Sequence, residues 1–335
     1  MMNVEIIAHH LMIIGGIFMY FFGSIGNLLN IYVFTIWYRS KHTSHKCARS
    51  NRTSNSSLYL LASSISNLIV IVYPLFTRIM LDGYEYHLTA SSVFFVCQFR
   101  YFILHIFDLT SLACICLATF DRYLISSRTA RLRKLSPTKK QSKYILLFVV
   151  CLFTIHSIPN LKYYHVSRQG YCAISSHVYL YYYLYSFQIF LHGIFPIVFL
   201  SIFGTLTFRQ LKTINRRKSL CRNSHIDRQL SRMILLISIA IVLSSIPYCI
   251  EQSYYVLFNN NNRSATPFFF LYHVTCSILF YTNPVSSFYI YYVSTRNFRA
   301  QVNQIICCRR TVHCDVFYQI RPIITPRQSV HDSLF

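Results

Sequence analysis

Residues 97–123 read CQFRYFILHIFDLTSLACICLATFDRY, an apolar run with a cysteine at one end and a charged triplet at the other. Arg122 follows Cys97 by 25 residues. At about 1.5 Å per residue, a helix of that length spans ~37 Å, which is close to one tilted membrane crossing. A charged triplet at the end of a membrane helix is costly, so its presence indicates a function for Asp121, Arg122 and Tyr123.

The composition of the chain is that of an integral membrane protein. Of 335 residues, 54% are hydrophobic and only 12% are charged, whereas a soluble domain has about 25% charged residues. The nine carboxylate side chains are scattered along the sequence, and no CxxC arrangement suggests zinc. We therefore predict neither an enzyme nor a protein that needs a metal or another cofactor.

Seven segments are long and apolar enough to cross a bilayer, which takes about 20 residues. Backbone groups in lipid must be paired within their own segment, so these segments are predicted to be helices. The sequence thus predicts an all-α membrane protein, a seven-transmembrane helix bundle spanning 11–293. A short extracellular N-terminus, 1–10, precedes it, and a cytoplasmic tail with a short juxtamembrane helix, 294–335, follows. The predicted spans are 11–37, 58–80, 94–120, 144–161, 179–208, 233–257 and 267–293.

The positive charges indicate the orientation of these spans. With the N-terminus outside, the inner segments hold 27 of the 32 Lys and Arg residues, as the positive-inside tendency predicts. These charges also suit an inner leaflet of anionic lipid, so the bilayer is one partner and the plasma membrane the expected location. Nucleic acid is not expected as a partner, because lipid spans separate the basic stretches. The inner segments are 38–57, 121–143, 209–232 and 294–335.

Three modifications can be predicted from side chains outside the spans. Cys97 and Cys172 both lie on the oxidising outer side, where a disulfide would hold the second outer loop over the third span; two free thiols are the alternative. Cys307 and Cys308 stand beside basic residues after the last span, a setting for palmitoylation or for free thiols. Asn262 begins a glycosylation sequon in the last outer loop.

From Gly23 to Arg299 the chain resembles the rhodopsin-like (class A) G-protein-coupled receptors. The Asp121-Arg122-Tyr123 triplet matches the inner end of that family's third helix, with the cysteine at its outer end. Several intramembrane polar residues and prolines also match the family pattern: Asn27 in the Gly26-Asn27 pair, Asn67 after Leu61-Ala62, Ser111, Pro196, Pro247 and Asn283-Pro284.

The resemblance implies a receptor that binds an extracellular ligand and activates a heterotrimeric G protein inside the cell. Asp227 precedes Pro247 by 20 residues, where the family often places an acidic partner for the arginine of helix three. An Arg122–Asp227 ion pair would hold the inner ends of helices three and six together, and helix six would release it by moving at Pro247. The alternative is that Asp227 is a solvated loop residue.

The sequence departs from the family pattern at several positions. Ser245 stands where the family has Trp in helix six, and Gly204 where it has Tyr in helix five. Ser287 occupies the tyrosine position after Asn283-Pro284, and Tyr291, seven residues before Phe298, is the alternative switch tyrosine. Asn67 replaces the usual Asp, so sodium binding at mid-membrane is expected to be weak or absent.

The ligand class is indicated less directly than the family. Tyrosines around Cys172 suit a semi-exposed recognition surface, and a peptide of the neuropeptide type is the favoured ligand. A small-molecule chemosensory or orphan receptor is the alternative, and a seven-span channel or transporter is a further one. Candidate ligand contacts, each alternatively an ordinary polar residue facing the bundle interior, are Asp108, Gln188, His192, Tyr248, Glu251 and Gln252.

Overall fold

A computed structural model describes residues 2–39, 53–84, 94–127, 129–166, 172–214, 223–258 and 267–306. Four of the long helices are uninterrupted: α1 (Met2–Arg39), α4 (Lys139–Tyr163), α6 (Asn223–Phe258) and α7 (Pro267–Ser294). Three others contain wider π-helical turns. Helix α2 runs through Thr53–Val70, Ile71–Leu75, Phe76–Arg78 and Ile79–Gly83; α3 through Phe94–Phe99 and Arg100–Ser126; α5 through His177–Tyr182, Tyr183–Ile194 and Phe195–Ile214. A short helix, Ala130–Lys134, follows α3, and α8 (Arg296–Ile306) follows α7.

Within the described residues, the six helices α1–α6 are long and apolar enough to cross a membrane. Helix α7 is 28 residues long, which at 1.5 Å per residue is about 42 Å and sufficient for a crossing. Its tyrosines and serines lower its mean hydropathy, while its first half and its end pack inside the bundle through residues such as Val274 and Tyr291. The predicted all-α bundle of seven spanning helices is confirmed.

Helix α3 occupies the centre of the bundle, and α4 lies at its edge. In α3, 72% of the most apolar stretch is buried inside the protein, against 11% in α4. Helix α3 packs against α2, α4, α5 and α6. Because α3 contacts four other spanning helices, polar residues on it are the ones best placed to connect the two membrane faces.

Glycines on α1 allow it to approach α2 and α7 closely. A Cβ on Gly16 would lie 2.5 Å from Cγ1 of Ile79, and one on Gly26 would lie 2.9 Å from Cβ of Phe288. Small residues at such crossings favour close packing of membrane helices, where dispersion contacts rather than the hydrophobic effect hold the helices together. The glycines of α1 therefore fix the distance between α1 and its two neighbours.

Two helices begin earlier than the sequence predicts. Helix α1 starts at Met2 rather than near residue 11, because Ala8 and Met12 are fully buried and His9 lies against the outer end of α2. The His9 Nδ1 atom is 2.6 Å from the carbonyl oxygen of Asp82. Helix α2 starts at Thr53 rather than at 58, so the end of the predicted first inner loop is helical.

A β-hairpin lies over the outer mouth of the bundle. Strand β1 (Tyr164–Val166) pairs antiparallel with β2 (Cys172–Ile174), with Tyr164 opposite Ile174. The predicted disulfide between Cys97 and Cys172 is confirmed, with 5.7 Å between the two Cα atoms. The amide of Gln98 also donates to the carbonyl oxygen of Tyr164 at 2.9 Å. The bridge and this hydrogen bond hold the hairpin to the outer end of α3.

Candidate functional site

Arg122 is buried at the inner end of α3, where it is only 1% exposed. Ser56 of α2 connects it to Asp121: the Ser56 hydroxyl accepts a hydrogen bond from Arg122 Nε at 2.7 Å and donates one to Asp121 Oδ2 at 2.6 Å. Arg122 Nη2 lies 3.7 Å from the same carboxylate oxygen. We call Ser56, Asp121 and Arg122 the inner cluster. Ser56 falls in the predicted inner segment 38–57, so this contact was not predicted from the sequence.

The second inner loop is attached to the inner cluster. Ser136 donates to Asp121 Oδ1 at 2.8 Å, so each carboxylate oxygen of Asp121 accepts a hydroxyl. Asn55, next to Ser56 on α2, donates to the carbonyl oxygen of Pro137 at 2.5 Å. These contacts connect the loop after α3, the start of α2 and the buried arginine.

The other predicted switch residues near this end are Tyr123 on α3 and two residues of α6. The ring of Tyr123 faces α5, with 5.3 Å between its centroid and that of Phe203. Asp227 falls within α6, but its side chain lies outside the described residues. The Arg122–Asp227 ion pair therefore stays a prediction. Pro247 is half-buried within the same helix.

The predicted intramembrane polar residues form two separate contacts rather than one cluster. Asn27 donates to the carbonyl oxygen of Pro284 at 2.9 Å and so joins α1 to α7. Ser111 donates to Asn67 Oδ1 at 2.6 Å and lies 2.8 Å from the hydroxyl of Ser63, which joins α3 to α2. Asn67 thus accepts a hydroxyl with its neutral carbonyl group, at the position where the family has a carboxylate.

Near the inner end of α7, Tyr291 and Ser287 have different environments. Tyr291 is 1% exposed, and its ring centroid lies 5.9 Å from that of Phe298 in α8. Ser287 is also buried, and its hydroxyl accepts from Asn30 of α1 at 3.3 Å. Asn283 is half-buried. Of the two candidate positions for the switch tyrosine, 287 and 291, position 291 therefore holds a tyrosine that contacts the juxtamembrane helix α8.

Charged and imidazole side chains meet inside the outer half of the bundle. Asp108 Oδ2 on α3 lies 3.0 Å from Nδ1 of His192 on α5, and both residues are buried. Gln188, one turn earlier on α5, is 1% exposed, and its Nε2 has no hydrogen-bond partner among the described residues. Tyr248 of α6 packs its ring 4.5 Å from that of Phe280. Two of the predicted ligand contacts, Asp108 and His192, are thus in direct contact, and Gln188 lies one turn from His192 on the same helix.

Glu251 takes part in a second arrangement, which joins α2, α6 and α7. Its Oε1 lies 2.8 Å from Nδ1 of His273, and the opposite ring nitrogen of His273 contacts the guanidinium of Arg78. Arg78 also donates to Ser277 at 2.9 Å and pairs with Asp82 one turn away on α2. We call Arg78, Asp82, Glu251, His273 and Ser277 the outer network.

Two buried arginines of the outer half were missed in the sequence analysis. Arg78 and Arg100 are two of the five Lys and Arg residues that lie outside the predicted inner segments, yet they are only 8% and 2% exposed. Both lie inside the predicted spans 58–80 and 94–120, and charged residues within a span are usually functional. That position in the spans was the signal that could have identified them.

The stacked tyrosines Tyr101 and Tyr164 connect α3 to the hairpin. Their ring centroids are 4.1 Å apart. Burial raises the pKa of Tyr164 well above its ordinary value, so its phenol stays protonated at neutral pH. The hairpin therefore rests on α3 through a neutral aromatic contact as well as through the disulfide.

Several predicted positions lie outside the described residues. They are the side chain of Gln252, the sequon at Asn262, and Cys307 and Cys308, which directly follow the last described residue of α8. Glycosylation and palmitoylation therefore stay predictions.

Comparison with known proteins finds receptors that are similar over most of the chain. Neuromedin-U receptor 2 of Mus musculus is 20% identical over 299 residues, which cover 85% of this chain and 72% of the relative. The rat receptor (Rattus norvegicus) is 21% identical over 269 residues, covering 75% and 67%, and the human receptor (Homo sapiens) 20% over 268 residues, covering 75% and 63%. No family model matches the sequence.

These relatives agree with the motifs and with the architecture. The buried Asp121-Arg122 pair, the Cys97–Cys172 bridge and the helical membrane bundle are the features on which the resemblance rests. The chain is a multi-pass plasma-membrane protein that is similar to the rhodopsin-like G-protein-coupled receptors.

Proposed function

We propose that the chain is a receptor that couples the binding of an extracellular neuropeptide to the activation of a heterotrimeric G protein through a rearrangement of α3 and α6. The observation that carries this proposal is the burial of Arg122 at the cytoplasmic end of the central helix, with Ser56 and Asp121 as partners. A buried cation at a membrane boundary is costly and is retained where its release has a use.

Coupling between the two membrane faces is expected to run along α3. Asp108 and Arg100 face the outer half of the bundle on the same helix that holds Arg122 at its inner end. A ligand that binds more tightly to the form with an open inner end shifts the population by that difference in affinity. Movement of α6 at Pro247 would then leave room beside Arg122 for a helix of the partner protein.

The neuropeptide part of the proposal has two supports. The relatives are named as receptors for neuromedin U, and the hairpin bridged to Cys97 leaves polar side chains of α3, α5 and α6 beneath it. The domain organisation that goes with this function is a short outer N-terminus, a receptor unit over 11–293 and an inner tail from 294 onward. The alternative is a small-molecule ligand for the same receptor fold, which a ligand screen would also detect.

The proposal can be tested by measuring second-messenger output in cells that express the chain, against a neuropeptide library. Arg122→Gln keeps a polar side chain but removes the charge, and Lys140→Gln removes an exposed inner charge of α4 as the matched control. We expect a response with wild type and Lys140→Gln and none with Arg122→Gln, at equal surface expression. An unchanged response with Arg122→Gln would contradict the switch role of Arg122.

A further inference from the structure

Arg100 is a buried cation without an ion-pair partner among the described residues. It lies one turn inward from the bridged Cys97 on α3 and is 2% exposed. Its Nε atom has no hydrogen-bond acceptor in the part of the chain that the structure describes. Arg78, by contrast, contacts Asp82, His273 and Ser277. The two outer arginines therefore differ in how well their charge is compensated.

The surroundings of Arg100 are aromatic rather than acidic. Its Cζ atom lies 5.1 Å from the ring centroid of Tyr101. The phenol of Tyr281 forms a side-chain hydrogen bond with Arg100 and interacts electrostatically with Arg78. Cation–π contacts offset only part of the cost of taking a guanidinium out of water. An arginine in this state is stabilised by a group that arrives with a negative charge.

Three acidic side chains that the structure describes in the outer half of the bundle are already paired. Asp82 contacts Arg78, Asp108 contacts His192 at 3.0 Å, and Glu251 contacts His273 at 2.8 Å. These carboxylates therefore have closer cationic or imidazole partners than Arg100. A planar guanidinium whose Nε–H has no acceptor can still donate to the oxygens of a carboxylate, and phenol hydroxyls beside it add further donors.

We propose that Arg100 binds a carboxylate of the ligand, with the phenols of Tyr101 and Tyr281 beside it and Arg78 as a second positive charge. This inference rests on the proposed function as a neuropeptide receptor. The carboxylate comes either from a free peptide C-terminus or from an acidic side chain. In this proposal the receptor supplies the positive charge and the ligand the negative one. A basic, amidated peptide held by Asp108 and Glu251 would have the opposite arrangement of charges.

A signalling experiment separates the two sources of the carboxylate. The probe is a synthetic library of short peptides in matched forms: C-terminal acid against C-terminal amide, and Asp or Glu against Asn or Gln. Active peptides are tested on wild type, Arg100→Gln, Arg100→Lys and the control Lys162→Gln, which removes an exposed cation at the outer end of α4. If the C-terminal amide loses potency on wild type, the carboxylate comes from the peptide C-terminus. If the Asn or Gln form loses potency, it comes from an acidic side chain.

We expect Arg100→Gln to lower the potency of the carboxylate form by at least about 30-fold, the usual effect of removing one member of a buried charge pair. The neutral form should change less than about threefold, within the range of a minor contact. Arg100→Lys should restore part of the potency, and Lys162→Gln should have no effect. The proposal would be overturned if Arg100→Gln lowered the potency of the carboxylate and neutral forms equally. It would also be overturned if the active peptides kept their potency on wild type after both the amide and the Asn or Gln changes.

A binding measurement tests the same site independently of signalling. The melting temperature of the purified receptor in nanodiscs is compared with millimolar N-acetylphenylalanine and with its neutral amide. The acid should raise the melting temperature of wild type and not that of Arg100→Gln, since a ligand that binds only the folded state stabilises it. Equal shifts for acid and amide would contradict the inference. A selective shift without any second-messenger output would instead contradict the proposed function.

Discussion

The outer and inner halves of the bundle hold their buried charges in different ways. In the outer network, Arg78 and Glu251 approach the same imidazole, and three helices meet there. In the inner cluster, Arg122 meets the hydroxyl of Ser56 as well as the carboxylate of Asp121. A hydrogen bond to a hydroxyl contributes about 1 kcal/mol net, whereas breaking a buried charge pair costs about 3–5 kcal/mol. The hydrogen bond between Arg122 and Ser56 is therefore the cheaper of these contacts to exchange during activation.

The largest expected effect concerns the two outer arginines. Arg78→Met leaves Asp82 and His273 without the guanidinium and should lower the free energy of unfolding by about 3 kcal/mol or more. Arg100→Met removes a buried cation that has no ion-pair partner in the described part of the chain, so stability should be unchanged or higher. Melting temperatures of both purified variants in nanodiscs provide the measurement.

This pair of variants separates a structural charge from a functional one. Both substitutions replace a buried arginine with the same apolar side chain, so differences in volume and expression are matched. A loss of stability in Arg100→Met as large as that in Arg78→Met would mean that Arg100 also holds the fold together.

The second expected effect concerns the inner cluster. Ser56→Ala removes a hydroxyl that contacts both Asp121 and Arg122, and its loss should lower the stability of the closed form by about 1 kcal/mol. Ligand-independent second-messenger output should rise by about fivefold, the factor that corresponds to 1 kcal/mol. The output per receptor at the cell surface is the quantity to compare.

Ser136→Ala is the matched control for that measurement. Ser136 contacts only the other oxygen of Asp121 in the described residues and does not reach Arg122. Its removal should raise basal output less than Ser56→Ala does. The reverse order of the two variants would show that the loop contact, rather than the bridge to α2, restrains the arginine.

The smallest expected effect concerns the middle of the membrane. The side-chain oxygens of Ser63, Asn67 and Ser111 lie close together, but none carries a formal charge. Wild type should have the same melting temperature in sodium chloride and in choline chloride. Asn67→Asp supplies an anion and should gain about 1 kcal/mol in sodium through binding to the folded state. A sodium effect in wild type of equal size would contradict this account.

The parts of the fold and site that could be predicted from sequence are those encoded locally. The spans follow from runs of apolar residues, and the inner motif is contiguous at 121–123, so both were predicted. Cys97 and Cys172 were predicted as a pair because both fall on the oxidising side, and the bridge is confirmed. Such features need no knowledge of which helices are neighbours.

The outer network could not be predicted in the same way. Arg78, Glu251 and His273 are far apart in sequence and meet only after three helices pack. Glu251 was named as a ligand contact, but its histidine partner depends on the rotation of α7. Ser56 was assigned to a loop because polar residues surround it, although tertiary contacts with Asp121 and Arg122 keep it helical.

The central claim is that a ligand outside moves α6 away from the inner end of α3. The most direct test is a pulsed spin-label distance measurement with labels at Lys140→Cys on α4 and Arg232→Cys on α6, both exposed positions, after other reactive cysteines are replaced. With an active ligand and G protein, the distance distribution should lengthen, and Arg122→Gln should abolish G-protein output. An unchanged distribution during full second-messenger output would contradict the account.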